Sequence, residues 1–439
     1  MTRSAAVRTD APFAGLWDAR PAPREPLWLS KLRRQARTTF EAEGLPAAGN
    51  EDWRQTSVQP LASIPFEPPP AVEAEAGILD GHPWPDVTAI RIALVDGRVA
   101  PALSRRDGLA PGVRVESLAE AITSSGAAIE PHLGRVASVK GHPFAALNTA
   151  LFEDGVVVSV AAGAVAPPIH VLHQTSAHRR PVALLPRVLI VAEAGARVTV
   201  VESFASTGDQ LALTSAVTEI VVGENAQVDH VKVQAESDAA WHVAAIAGRV
   251  ARHGRLASHN VSWGAKLARN DIGAVLEGEG ASCHLYGLYL VDGARHVDNH
   301  TWLDHAKAHC PSWEMYKGIL AGASRAVFNG RIIVREGAQK TDAKQSNKNL
   351  ILSDGGVVYT RPQLEIYAND VRCTHGATIG RLDEAALFYL RSRGLSARAA
   401  RDLLIHAFAD DVLAKIPHEG TRAAVGAALF ARLARDLEG

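Results

Sequence analysis

Cys373 and His375 lie two residues apart where a strand-like run ends, inside the stretch from Gln339 to Gly394. Thiolate and imidazole are ligands for soft and borderline metals, so metal or cluster chemistry is to be sought first at this spacing. Side chains on a strand alternate, and residues two apart share a face. The pair would therefore direct both donors at one ion. A tetrahedral site needs three or four protein donors, so the two can act only if a partner or a labile cluster supplies the rest. The competing reading of an isolated Cys-x-His is a buried cysteine beside a capping histidine.

A second cluster runs from Arg295 to Cys310 and holds two His-x-x-x-His pairs, His296/His300 and His305/His309. On a helix these would face one way, like a zinc site. The run opens instead with an alternation in which His296, Asp298 and His300 share one strand face, so hydrogen-bonded histidines on sheet faces are expected. Cys283-His284 and His309-Cys310 are adjacent pairs that point to opposite faces, and they read as buried small thiols beside surface imidazoles. The chain has no Gly-Lys dipeptide and hence no phosphate-cradling loop. It also lacks a Gly-x-Ser-x-Gly elbow and a Gly-x-Gly-x-x-Gly after a strand. Any ATP used would be bound by another subunit. Asp410-Asp411 reads as a solvated pair on an exposed helix side.

The elements that must position these residues follow from periodicity. Leu29, Leu32, Ala36 and Phe40 recur at helical spacing between Pro23 and Gly44, and Gly44-Leu45-Pro46 supplies the stop. After the box Glu51 to Thr56, the proline-rich spacer from Ile64 to Pro70 cannot continue a helix and marks a boundary. Ile90 to Val99 predicts two short strands about the Asp96-Gly97 turn, and Glu116 to Ile122 a short helix. From about 144 to 370 there are short Val- and Ile-rich strands punctuated by glycine. Turn markers Ala196, Ala226, Gly254 and Ala281 recur every 27 to 30 residues, whereas Ala323 and Ala338 lie half that distance apart. Such a period without helices predicts a β-solenoid, with an antiparallel sandwich or jelly roll as the alternative. Beyond Gly380, Asp383 caps a helix to Arg391 that Gly394 ends. Ser396 caps a second helix carrying Ala400, Leu404, Phe408, Val412 and Ile416, closed by Pro417, and a third runs from Gly420. This helical end could cap the open solenoid or offer a surface to another protein.

Composition bounds the classes of function. Lys plus Arg total 46 against 47 Asp plus Glu, so no net field favours nucleic acid or an anionic membrane. The residues MTRSAAVRTDAPFAGL lack the apolar run of a secretory signal, and no segment approaches the roughly 18 apolar residues of a membrane span. Three scattered cysteines do not make a disulfide framework, which suits a reducing compartment, and a cytoplasmic protein is expected.

Beyond spacing, whole blocks of residues carry a resemblance. They are Gln339 to Ala343 with Gln345, Asn349-Leu350 to Gly355, Pro362 to Tyr367, Asp370-Val371, Cys373 to Thr378, and Leu382 to Gly394. Upstream stand Tyr316-Lys317-Gly318, Phe144 to Asn148, Pro186-Arg187 and the 51–56 box after Gly44-Leu45-Pro46. Together they resemble the SufB/SufD family of the SUF iron–sulfur cluster assembly machinery, and its SufD branch more than its SufB branch. The chain departs from the commoner family pattern at Arg54-Gln55-Thr56, where a basic-aromatic-threonine run is usual.

The resemblance implies a mainly β fold, a right-handed parallel β-helix between helical N- and C-terminal regions. It divides the chain into 1–70, a mixed connecting region 71–143, the β-helix 144–378 and a helical domain 379–439. It implies a scaffold, not an enzyme, that pairs with a SufB-like subunit near the C-terminal end of the β-helix. A SufC-like ABC-type ATPase would dock on the C-terminal helices, with Leu404 and Phe408 as candidate contacts, and the isolated chain could form a homodimer. Cys373 and His375 match the cysteine and histidine facing the SufB-like subunit. There a nascent iron–sulfur cluster or iron would be shared, His375 as a ligand and Cys373 as a ligand or interface residue. No cofactor is expected on the isolated chain. Two alternatives stand: an independent zinc protein using the histidines of 296–310, and a β-helix enzyme acting on polysaccharide. The 5% aromatic content and the missing secretory signal speak against the latter.

Overall fold

The computed structural model describes residues 13–19, 25–47, 49–71, 76–80, 82, 84 and 87–436. A short helix, α1 (Ala14–Asp18), and a long one, α2 (Leu27–Glu43), come first among the described residues. The expected stripe of α2 forms: Leu29, Ala36 and Phe40 are buried, Leu32 is half-buried, and Gly44 ends the helix at φ +64°. The expected start at Pro23 lies outside the described residues. Strands β1 (Ile90–Val95) and β2 (Arg98–Val99) form the expected antiparallel hairpin. Asp96 at φ 51° and Gly97 at φ 82° both take the left-handed conformation that such a two-residue turn demands.

The helix expected over Glu116 to Ile122 begins two residues later. Glu116 belongs to β3 (Val113–Ser117), and the Ser117 hydroxyl accepts the Glu120 N–H to start α3 (Leu118–Ser124), which α4 (Gly126–Ile129) follows. Phe144 to Asn148 is not a strand either. It lies in α5 (Pro143–Leu151), opened by Pro143 and buried at all nine positions. A helix surrounded by protein carries no polar face, so it shows no amphipathic period in the sequence.

The remaining strands are β4 (Gly155–Val160), β5 (Ile169–Thr175), β6 (Val182–Leu184), β7 (Arg187–Ala192), β8 (Arg197–Ser206), β9 (Ala212–Val222) and β10 (Gln227–Ala235). They continue with β11 (Trp241–Val250), β12 (Arg255–Ser262), β13 (Leu267–Leu276), β14 (Ser282–Val291) and β15 (His296–His305). Last come β16 (Pro311–Leu320), β17 (Arg325–Val334), β18 (Asp342–Ile351), β19 (Val357–Ile366) and β20 (Arg372–Gly380). They wind into a parallel β-solenoid of eight coils, each contributing one strand to each of two sheets. The first sheet runs β2-β1-β5-β8-β10-β12-β14-β16-β18-β20 and the second β3-β4-β7-β9-β11-β13-β15-β17-β19. Among the described strands only β1/β2 and β3/β4 pair antiparallel, and every other strand pair is parallel, which excludes the sandwich and jelly-roll alternative.

The 27- to 30-residue marker period is one coil, because the markers precede β8, β10, β12 and β14, which are neighbours in one sheet. Ala323 and Ala338 precede β17 and β18, in opposite sheets, and so mark half a coil. At the marked corner, Gly163, Gly195, Asn225, His253, Gly280, His309 and Lys340 all have φ between 54° and 72°. Each of their N–H groups reaches the corner of the next coil, as in Gly195 to Glu224 O (2.8 Å), His309 to Gln339 O (2.9 Å) and Lys340 to Asp370 O (2.6 Å). A left-handed corner residue turns its N–H along the stack, and the strain at the non-glycine positions is offset by a hydrogen bond in every coil.

Inside the coils Val, Ile and Leu from both sheets form one continuous core. Both outer faces are also covered. The N-terminal helices with Trp53 and Phe66 cover Leu213, Trp241, Val243 and Leu267 of the second sheet. The C-terminal helices α6 (Glu384–Ser392), α7 (Ala397–Leu413) and α8 (Glu419–Asp436) follow β20. Ile405, Ala409, Val412, Leu413 and Ile416 cover Val231, Val233, Val261 and Leu288 of the first sheet. The helical end thus lies along the side of the solenoid and does not cap it, because the apolar residues needing cover are on the outer sheet face. α7 ends at Leu413, three residues before the expected Ile416, which is nonetheless fully buried.

Candidate functional site

Among the described residues nothing caps the last coil, so β19 is half-buried to exposed, β20 is almost wholly exposed, and each has a strand neighbour on one side only. Cys373 and His375 sit on β20 with the same orientation, opposite Ala343 and Gln345 of β18. Cys373 is half-buried against the interior core, and burial pushes its thiol up. His375 is exposed. The pair therefore looks from the lip of the last coil toward its lumen. Among the described residues no group of three or more His, Cys, Asp and Glu side chains could hold a metal ion. The site is a two-donor edge.

Behind that edge the lumen turns polar. Gln345 donates to Glu314 Oε2 (2.7 Å), and Glu314 also accepts from Thr301. Burial drives the Glu314 carboxyl up to about 7 against the pull of these two bonds. Tyr289 donates to Asn349 (2.6 Å), and Asn347 bonds Tyr289 and the Tyr316 carbonyl. Sequence reasoning missed this group. Its signal was the period-two run Gln345, Asn347, Asn349, amides at the positions where a solenoid strand ordinarily turns apolar residues inward.

The histidines of 296–310 do not converge. His296, Asp298 and His300 occupy alternate positions of β15, as expected, whereas His305 has the opposite orientation and bonds Ser312 in the interior (3.0 Å). His309 is an exposed corner residue. Asp298 accepts from Thr56 (2.6 Å) and pairs with Arg269 (2.8 Å), while His296 contacts Thr56 (2.9 Å) and His300 lies 3.1 Å from Asp298. Burial opposes charge on Asp298, but His300, Arg269 and Thr56 outweigh it and hold the carboxyl well below its usual range. Arg269 also lies 3.8 Å over the Trp53 ring and donates to Asp52 O (2.7 Å). The cluster is a latch holding the 51–56 box to the second sheet. Arg269→Ala should cost about 2–3 kcal/mol in urea melts and speed proteolytic cutting between residues 44 and 50. Unchanged cutting would show that the box is held elsewhere.

Residues 24–171 match the model of the SufBD protein N-terminal region, and residues 173–408 that of the SUF-system FeS cluster assembly SufBD core domain. The chain belongs to the SufBD family. It is 32% identical to the iron–sulfur cluster assembly protein SufD of Escherichia coli K12 over 95% of both chains. It is also 32% identical to an iron–sulfur cluster assembly SufBD family protein of Synechocystis, over 85% of this chain and 84% of that one. It is thus a homologue of SufD.

Several blocks that carried the SufBD resemblance have structural work. Tyr316 is buried in the lumen, and Lys317, on the opposite face of β16, is buried under α7. Its ammonium donates to Phe408 O (2.9 Å), pairs with Asp411 and lies 4.4 Å over the Phe408 ring. A side chain at Gly318 would collide with the Tyr289 ring. Asp411 is therefore not simply solvated: it supplies the charge that lets Lys317 stay buried. Lys317→Met should cost about 1–2 kcal/mol and speed amide exchange in α7 while β16 exchange is unchanged. Equal acceleration in both would refute a local clamp. Cys283 and Cys310 are fully buried, as expected, and burial pushes both thiols up.

Of the two candidate docking residues, Leu404 and Phe408 are both half-buried, Phe408 against Lys317. The exposed large apolar side chains of α6 and α7 are Phe388, Tyr389 and Leu403. No helix of the described residues is long and apolar enough to cross a membrane.

Proposed function

We propose that this SufD homologue is a non-catalytic scaffold subunit of an ATP-driven iron–sulfur cluster assembly complex. It pairs with a SufB-like subunit through the open end of its solenoid and carries a SufC-like ATPase on its C-terminal helices. The cluster is cargo, built at the junction of two subunits. The observation that supports this reading best is Cys373 and His375 side by side on a terminal strand with a free edge, two donors short of a closed site. A free edge invites strand addition from a second chain. Val357, Tyr359 and Ile366 of β19, Ile379 of β20 and Tyr367 just after β19 expose apolar surface at this end. His375 serves as ligand and Cys373 as ligand or contact residue, with the remaining donors from the SufB-like partner.

The ATPase contact uses α6 and α7, through Leu404, Phe408 and the exposed Phe388, Tyr389 and Leu403. ATP-driven closure of that partner would pull on these helices, of which α7 lies along the first sheet, and shift the two solenoids against each other. Iron and sulfide then gain access to the edge pair. Co-purification with SufB-like and SufC-like proteins, followed by anaerobic reconstitution and visible absorbance, tests the whole reading. A stoichiometric complex that accumulates cluster is expected. A homodimer that ignores both partners, or stoichiometric zinc on the chain alone, would overturn it. Phe388→Glu should remove the ATPase and leave the SufB-like pairing intact.

A further inference from the structure

Glu314 on β16, Gln345 on β18 and His375 on β20 occupy one ladder position of three successive strands. Neighbouring strands lie about 4.8 Å apart, so side chains at one ladder position stack in contact along the solenoid. Gln345, in the middle, is 3% exposed. Its amide nitrogen is committed to Glu314 Oε2 at 2.7 Å, whose other oxygen is committed to Thr301. Its reach across the lumen is also fixed. Any side chain at Gly330 of β17 would collide with the Gln345 amide, so a glycine stands where the amide lies. The Gln345 carbonyl oxygen, by contrast, is buried and accepts no hydrogen bond from the described residues. A buried unsatisfied acceptor is costly and calls for a donor. Nitrogen and oxygen leave an amide carbon on opposite flanks. With the nitrogen committed toward β16, the oxygen is left free for a donor from the last coil, where His375 is the next side chain of the ladder.

An imidazole that ligates a metal through one nitrogen needs its other N–H held by a carbonyl, carboxylate or water, which fixes both tautomer and ring orientation. We propose that Gln345 is the positioning residue for His375: its free carbonyl oxygen accepts one ring N–H and leaves the other ring nitrogen's lone pair directed out of the solenoid mouth. Glu314 and Gly330 hold the amide in place. The inference rests on the reading of His375 as a donor to the cluster, and adds which group aims it.

The test uses the full chain with 15N-labelled histidine, the His375 ring signals being assigned by their loss in His375→Ala. Wild type should show one neutral tautomer. Gln345→Met, of similar size and without an acceptor, should show two tautomers in exchange, and in the complex should lose cluster about 10- to 100-fold faster. The exchanged pair Glu314→Gln with Gln345→Glu keeps an acceptor toward His375 and should restore both readouts. An unchanged His375 tautomer in Gln345→Met overturns the positioning role. If that variant does not fold, an exchanged pair that folds but scrambles the tautomer overturns it as well. Cluster yield untouched by His375→Ala would instead remove the ligand reading, while the ring signals of the isolated chain still decide whether Gln345 holds the ring.

Discussion

Replacing His375 with alanine is expected to abolish cluster accumulation on the assembled complex, with yield falling at least about 10-fold, while the chain folds and binds its partners as before. The side chain is exposed, within the last strand of its sheet, whose backbone pairs with β18 irrespective of the residue. Its loss takes away the donor proposed for the Gln345 carbonyl and should cost about 1–2 kcal/mol, well short of unfolding the chain. A fold-neutral substitution that removes function separates a chemical role from a packing role. Cys373→Ser is the informative companion. If the thiol is a ligand, it should match His375→Ala; if it is a contact residue, cluster yield should persist with weaker subunit pairing. Cys283→Ser and Cys310→Ser are controls, since both sulfurs are buried with thiols pushed up by burial. The measurement is iron and acid-labile sulfide per complex after anaerobic reconstitution. Wild-type yield in His375→Ala would end the claim for this site.

The second large effect concerns stability. Arg187 and Glu219 are paired at 2.7 Å with side chains fully buried. Arg187 also donates to Asn148 (3.1 Å) and Thr149 (2.9 Å) of α5, and Glu219 accepts from Gly134, Val136 and Ala137. This network ties the helical N-terminal unit to the second sheet. Arg187→Met should destabilise by about 3–5 kcal/mol, because it strands a carboxylate with no counter-charge. Burial alone would raise the Glu219 pKa, but Arg187 and the backbone donors outweigh it and hold it below the usual value. A folded pKa below the unfolded one, about 4.3, contributes stability that is present above that pH and is lost as pH falls through the folded value. Wild type should therefore lose urea resistance below about pH 5 more steeply than Glu219→Gln. Parallel pH profiles would show that this pair does not carry the acid sensitivity.

Features set by neighbours in the chain were legible in advance. The stop at Gly44, the Asp96-Gly97 turn, the Asp383 and Ser396 caps and the coil period all depend on a few adjacent residues. Where the reading missed, a distant contact decided. α5 carries no helical period because protein surrounds it. Asp411 was read as solvated because Lys317, its partner, lies on a strand about ninety residues earlier. The 51–56 box was a motif without a role until Arg269 and Asp298 met it on the second sheet.

The same division runs through the functional edge. The sequence alone determined that Cys373 and His375 share a strand face, since alternation is a property of any extended backbone, and the family blocks around them pointed to cluster assembly. Only the tertiary structure decided that this strand is the last of its sheet, that the C-terminal helices leave the end open, and that Gln345 and Glu314 stand behind His375 in one ladder. Coil register and helix placement are set by contacts between residues far apart in the chain. Local spacing specifies which side chains point together, and packing specifies what they face.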